Sequence, residues 1–196
     1  MTRPHLLLVA ASLAMSNFAF AAPAAALPAS NPFANESTLP FKYPPFDKIT
    51  NEHYAPAFAE GMRQEAAQIE AIANNRRAPT FENTIVAMER SGRLLDRVSS
   101  VFGNLSGANT NEALQAIARD LAPKLSAHGD AIRLNPKLYQ RIKSLYDKRA
   151  TLGLDAESAY LLERYHTDFV RAGARLSGAE KERLKADNSQ TAPLQT

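Results

Sequence analysis

Four histidines, at positions 5, 53, 128 and 166, are the residues best suited to metal or acid–base chemistry in this 196-residue chain. Hydrolytic zinc sites commonly place two histidines four apart on a helix with a glutamate beside the first, so that both rings reach one ion. No such spacing occurs in this sequence. Glu163 and His166 form one i, i+3 pair of the kind that carboxylate-bridged di-iron bundles use twice, together with two further glutamates. A single pair reads as a surface or interhelical hydrogen bond. His128 falls on an apolar stripe and reads as a packed, hydrogen-bonded histidine. Asp120, Glu157 and Glu163 fall on solvated helix faces. The chain has no cysteine, and no serine stands in a G-x-S-x-G turn: Ser106 reads as a loop residue and Ser177 as a helix cap. No glycine-rich phosphate loop is present either. The sequence therefore nominates no catalytic, cofactor-binding or metal-ligating residue.

One basic stretch, "RLNPKLYQRIKSLYDKR", interleaves Arg133, Lys137, Arg141, Lys143, Lys148 and Arg149 with Tyr139 and Tyr146. Such a mixture can bind nucleic acid or an anionic surface. Leu138, Ile142 and Leu145 give the stretch a core-facing side, so its charges read as an ordinary solvated face. A formal net charge of +3, from 23 basic and 20 acidic residues, gives little electrostatic reason to expect nucleic acid.

The elements that would position these residues are helical throughout. Thr50 is a candidate N-cap for a helix carrying Tyr54, Phe58, Met62, Ile69 and Ala73 on one face. "APTFENTIVAMERSG" opens a second: Pro79 blocks backward extension, Thr80 can cap, and Glu82 faces the positive end of the dipole. Phe81, Ile85, Met88, Leu95, Val98, Phe102 and Leu105 then predict one long helix, with Gly92 marking a close crossing. A third helix follows Thr110, and Pro123 inside it predicts a kink or break. Asn135 with Pro136 starts a fourth, to about Arg149. A fifth follows Asp155, with Leu162, Tyr165, Phe169, Gly173 and Leu176 inward. Ser177 and Glu180 make a capping box for a sixth, expected to fray near Asn188. The fold class is all-α, about six helices in an antiparallel array.

Two segments precede the helices. Residues 1–21 read as a signal peptide, with Arg3 and His5 ahead of "LLLVAASLAM" and the small residues of "AFA" before the cut. That apolar run is shorter than the roughly 20 residues needed to span a bilayer. The protein is accordingly expected to be exported to the periplasm, with no membrane contact after cleavage. Residues 22–48, with prolines at 23, 28, 32, 40, 44 and 45, read as a tether and then an extended strap. Its apolar residues Phe33, Leu39, Phe41, Tyr43 and Phe46 predict that its second half lies against the helices. Residues 49–188 form the helical domain and 189–196 a frayed end.

"PPFDKITNEHYAPAFAEGM", "IEAIANN", "PTFENTIVAMERSGRLLDRVSSVFGNL", "LAPKLSAHGDAI", "LNPKLYQRIKSLYD" and "LLERYHTDFVRAGARLS" resemble, in this order, the N-terminal helical region of bacterial peptidyl-dipeptidases. These are thimet-oligopeptidase-like zinc metallopeptidases, oligopeptidase A among them. The resemblance covers about residues 31–185. It implies a mostly helical enzyme that cleaves short peptides in a deep channel, with zinc held by an H-E-x-x-H helix and a further glutamate. No position here matches those ligands, so the resemblance implies zinc in the full-length family and no cofactor on this chain. The function expected is that of a scaffold or channel-wall domain, without its own hydrolysis, in which Thr80, Phe81 and Glu82 seat a helix. Its partners would be short peptides or a complementary catalytic half. A stand-alone periplasmic peptide-binding or interaction module is the alternative.

Overall fold

The computed structural model describes residues 26–195, so the signal-peptide segment and the first part of the tether lie outside the described residues. Six helices of 12 residues or more carry the fold: α1 (Tyr54–Ala73), α3 (Arg93–Ala108), α4 (Glu112–Arg133), α5 (Pro136–Asp147), α6 (Ala156–Arg171) and α7 (Gly178–Thr191). A short α2 (Ala87–Glu89) continues a π turn at Glu82–Val86. No strand occurs among the described residues.

Two apolar clusters hold all of these helices but α7, and α1 passes from one into the other. Its first half lays Tyr54, Ala57 and Phe58 against Leu94, Leu95, Val98 and Val101 of α3 and Leu114 and Leu121 of α4. Its second half lays Ile69, Ile72 and Ala73 against Ile85, Met88, Leu138, Ile142 and Leu145, with Leu162 and Phe169 of α6 completing that cluster. Burial of a large aliphatic or aromatic side chain contributes about 1.5–3 kcal/mol, so a helix shared by both clusters couples them. α1 lies close on the α3 backbone at Gly61, where a Cβ would lie 2.9 Å from the Leu95 Cα. The close crossing expected at Gly92 is present too, since a Cβ there would lie 2.8 Å from the Glu65 carboxylate of α1.

Gly92 has a further task. It adopts a left-handed φ of 72° and divides the expected long helix into α2 and α3. An apolar periodicity that runs on across the break hides it in the sequence, because both helices bury the same side. The Gly92 N–H donates to the Gln68 side chain at 2.9 Å, which fixes the corner on α1.

Local signals set most helix starts. Asn111 accepts from the Leu114 N–H, taking the capping position one residue beyond the expected Thr110. Asn135 accepts from Lys137 and Leu138, Asp155 from Ser158, and Ser177 and Glu180 form the reciprocal box at α7. Each cap satisfies backbone donors that the first helical turn leaves free. α4 continues through Pro123 as one helix instead of breaking there. Leu114 and Leu121 before the proline bury into one cluster, and contacts with α1 and α7 hold both of its halves. α7 runs to Thr191, past the fraying point expected near Asn188, because Asn188 donates to both carboxylate oxygens of buried Asp130 on α4, at 2.9 and 3.0 Å.

The strap departs most from expectation. Asn31 and Phe33 are buried, but Leu39, Phe41, Tyr43 and Phe46 are exposed. The backbone is not extended: it folds into 3-10 turns at Pro40–Lys42 and Phe46–Lys48. The prolines favour such turns once each chain reversal is closed by a backbone hydrogen bond, as in Tyr43 N–H to Pro40 O at 3.1 Å.

Substituting two of the helical glycines separates crowding from propensity. Gly61→Ala should destabilise by about 1–3 kcal/mol in urea unfolding, since backbone is what its Cβ meets. Gly103→Ala, with open space around its Cβ, should stabilise by up to about 1 kcal/mol.

Candidate functional site

The helix start that stands out in the sequence is tied to α5 by an arginine. Thr80 Oγ1 accepts from the Asn83 N–H and Asn83 Oδ1 accepts from the Thr80 N–H, at 3.0 and 2.9 Å. The Asn83 amide also donates to Ala78 O at 3.0 Å. Glu82 reaches out of this turn to Arg90 at 2.8 Å, a contact in solvent, and Phe81 packs at the edge of the core. Arg141 then inserts its guanidinium behind the turn. One terminal nitrogen donates to the carbonyls of Asn75 and Arg77, at 2.8 and 3.1 Å. The other donates to Asn83 Oδ1 and Thr84 Oγ1, at 2.7 and 3.2 Å. Its burial pushes the Arg141 pKa down.

Arg141 is therefore not part of a solvated face. It stands three residues after Leu138 and four before Leu145, on the buried stripe, and that spacing is the signal that places it inward. The rest of the basic stretch divides among local partners. Lys143 pairs with Asp147 at 2.5 Å, Lys137 donates to the Asn74 side chain, and Tyr139 accepts from Arg175 at 3.0 Å. Arg149 covers the Tyr146 ring at 4.2 Å.

The same ring stacks on His166, with centroids 3.8 Å apart and planes within 3°. His166 is buried, and burial, followed by the positive charge of Arg175, lowers its pKa from 6.5. Glu163 is exposed, so the i, i+3 pair divides between core and solvent. His128 joins α4 to α1 through Glu65, Nε2 to Oε2 at 2.7 Å, with both side chains mostly buried. His53 caps the first turn before α1, its Nδ1 accepting from the Thr50 N–H at 3.0 Å. His5 lies outside the described residues.

Glu65 opens onto a 260 Å³ cavity lined in part by Ser91, Tyr165 and Asp168. Tyr165 donates its hydroxyl to Glu89, and desolvation, then that bond, holds the phenol far above its ordinary range. Burial also raises the Asp96 carboxyl, with Glu65 and Glu89 adding like-charge repulsion. Ser91 donates to Met88 O at 2.6 Å. The arrangement spends its polar atoms on joining α1 to α4 and α6 to α2. Of the remaining candidates, Asp120 pairs with Lys124, Ser177 caps α7, and Glu157 is exposed. Ser106 Oγ is buried without a hydrogen bond. Among the described residues no group of three or more His, Asp or Glu side chains is placed to hold a metal ion, so these residues do not fit the zinc that the family resemblance implies. No described helix is long and apolar enough to cross a membrane.

The chain is 47% identical to dipeptidyl carboxypeptidase of Escherichia coli (strain K12) over 164 residues, which is 84% of this chain and 24% of that protein. It is a homologue of the bacterial dipeptidyl carboxypeptidases. The Salmonella typhimurium enzyme of the same name is 44% identical over 165 residues. Oligopeptidase A of E. coli is more distant, at 23% over 149 residues, or 76% of this chain and 22% of that one. The chain thus spans about a quarter of the length of the curated relatives it matches. No family model matches it.

Two measurements check these assignments. Arg141→Ala should cost about 2–4 kcal/mol in denaturant unfolding, because it removes a buried guanidinium and the four hydrogen bonds it donates to the 75–84 turn, and Arg141→Lys should recover only part of that loss. His166 should titrate below 6.5 by NMR. Its folded pKa is lowered, so the unfolded chain binds the proton first as pH falls. The stability it contributes is complete above 6.5 and is lost as pH drops through the folded value, and His166→Phe should flatten that acid limb.

Proposed function

We propose that this chain is the N-terminal scaffold domain of an exported zinc peptidyl-dipeptidase or oligopeptidase, forming a wall of the channel that admits short peptides. The observation that carries this reading is the 47% identity to dipeptidyl carboxypeptidase, sustained over 84% of the chain but over only 24% of that protein. Amide hydrolysis by such an enzyme needs a Lewis acid and an activated water. The described histidines are engaged in a cap, a hydrogen bond to Glu65 and a ring stack, which suits a supporting role. The leader-like residues 1–21 support export, and the periplasm is the compartment proposed. Partners on this reading are short peptides and the polypeptide that supplies the metal ligands, with no role for nucleic acid.

A cleft favours the second reading, a self-sufficient peptide-binding module. It has a volume of 540 Å³ and is lined by Phe102, Leu121, Leu125, Asp130, Arg133 and Asn188 among others. Apolar walls with a few convergent polar groups are common in ligand sites of this size.

Purified protein supplied with zinc and a short peptide should release no dipeptide. Turnover that a chelator abolishes would contradict the scaffold reading. Saturable peptide affinity, lost in Leu125→Arg, would favour the module.

A further inference from the structure

Residues 34–49 form a surface loop closed at its base. The Asn31 side chain donates to His53 O at 3.0 Å, and Arg97 donates to Phe33 O at 2.6 Å. The Phe33 ring packs on Tyr54, centroids 5.7 Å apart. Between these anchors the loop turns four apolar side chains outward: Leu39, Phe41, Tyr43 and Phe46, with Phe41 fully exposed at 101%. No other stretch of the described chain gathers as many exposed large apolar residues. The display is rigidly framed. Pro40, Pro44 and Pro45 restrict the backbone, and Tyr43 stacks edge-on against Phe46 at 5.6 Å. Phe41 and Lys42 both hold left-handed φ angles, 54° and 59°. That region is unfavourable for residues with a Cβ, and such strain concentrates where a segment meets a ligand or partner. Compact loops closed at the base are frequently functional, and preset aromatic side chains make effective anchors because little freedom is lost on docking.

The length of the relatives identifies the occupant. Dipeptidyl carboxypeptidase of E. coli carries about three quarters of its length beyond the region matched here. We propose that the 34–49 loop docks, through Leu39, Phe41, Tyr43 and Phe46, onto the polypeptide that dipeptidyl carboxypeptidases carry outside the matched region. This rests on the scaffold reading and assigns the surface through which the scaffold is seated. A patch of this kind, rimmed by Glu36, Lys42, Asp47 and Lys48, resembles an interface core with a charged rim.

Because the chain has no cysteine, a single introduced thiol reports exposure directly. Phe41→Cys and Tyr43→Cys are made in the isolated chain and in a full-length chimera in which this chain replaces the matched region of the E. coli enzyme. Labelling by a maleimide is followed at those peptides by mass spectrometry. The expected result is rapid labelling in the isolated chain and labelling at least about tenfold slower in a peptide-cleaving chimera, as for side chains at an interface core. Equally rapid labelling in an active chimera overturns the loop assignment and leaves the scaffold reading standing. A chimera that fails to cleave, when the parent enzyme does, removes the scaffold reading and this proposal with it. Slow labelling in the isolated chain that accelerates on dilution makes the occupant a second copy, and overturns the proposal.

Discussion

The structure depends on α1 burying different halves of itself in two apolar clusters. Tyr54 and Phe58 belong to one, Ile69 and Ile72 to the other, and Gly61 lets the helix lie against the α3 backbone between them. Without that contact each cluster would be a few helices wide, with an apolar stripe left in water. The other helices are arranged around this shared member: α3 and α4 beside its first half, α5 and α6 around its second.

Polar side chains close the seams that the two clusters leave. The His128 hydrogen bond with Glu65 holds α4 to α1, the Arg141 fork holds α5 to the turn at 75–84, and Asp130 with Asn188 holds α7 to α4. A buried polar group without a partner is costly, so groups able to do chemistry become braces once they are inside. His128 and His166, two of the residues that first suggest catalysis, are thus held in contacts inside the fold. That is why a homologue of dipeptidyl carboxypeptidase can be dense in hydrogen bonds and still bring together no metal-binding cluster among its described residues.

Much of this was legible in the sequence where the controlling interactions are local. Asn135, Asp155 and Ser177 cap within three residues of themselves, so the starts of α5, α6 and α7 could be read directly. The break at Gly92 was missed because periodicity reports which side is buried and not whether the axis turns. Pro123 shows the converse: neighbouring helices override a local breaker. Arg141 was assigned by its charge when its position among Leu138, Ile142 and Leu145 carried the better information. The loop at 34–49 was misread for a non-local reason. Counting apolar residues predicts burial, but the count does not say against what, and within this chain Phe41 meets solvent.

The account stands on the histidines being committed to internal contacts. Ring-nitrogen NMR of His53, His128 and His166, recorded as zinc is added to the folded protein, tests this directly. The expected spectra keep all three rings unshifted at one equivalent of metal, with His128 still coupled to Glu65. Stoichiometric displacement of the His128 and His166 ring nitrogens, saturating at one zinc per chain, would contradict it.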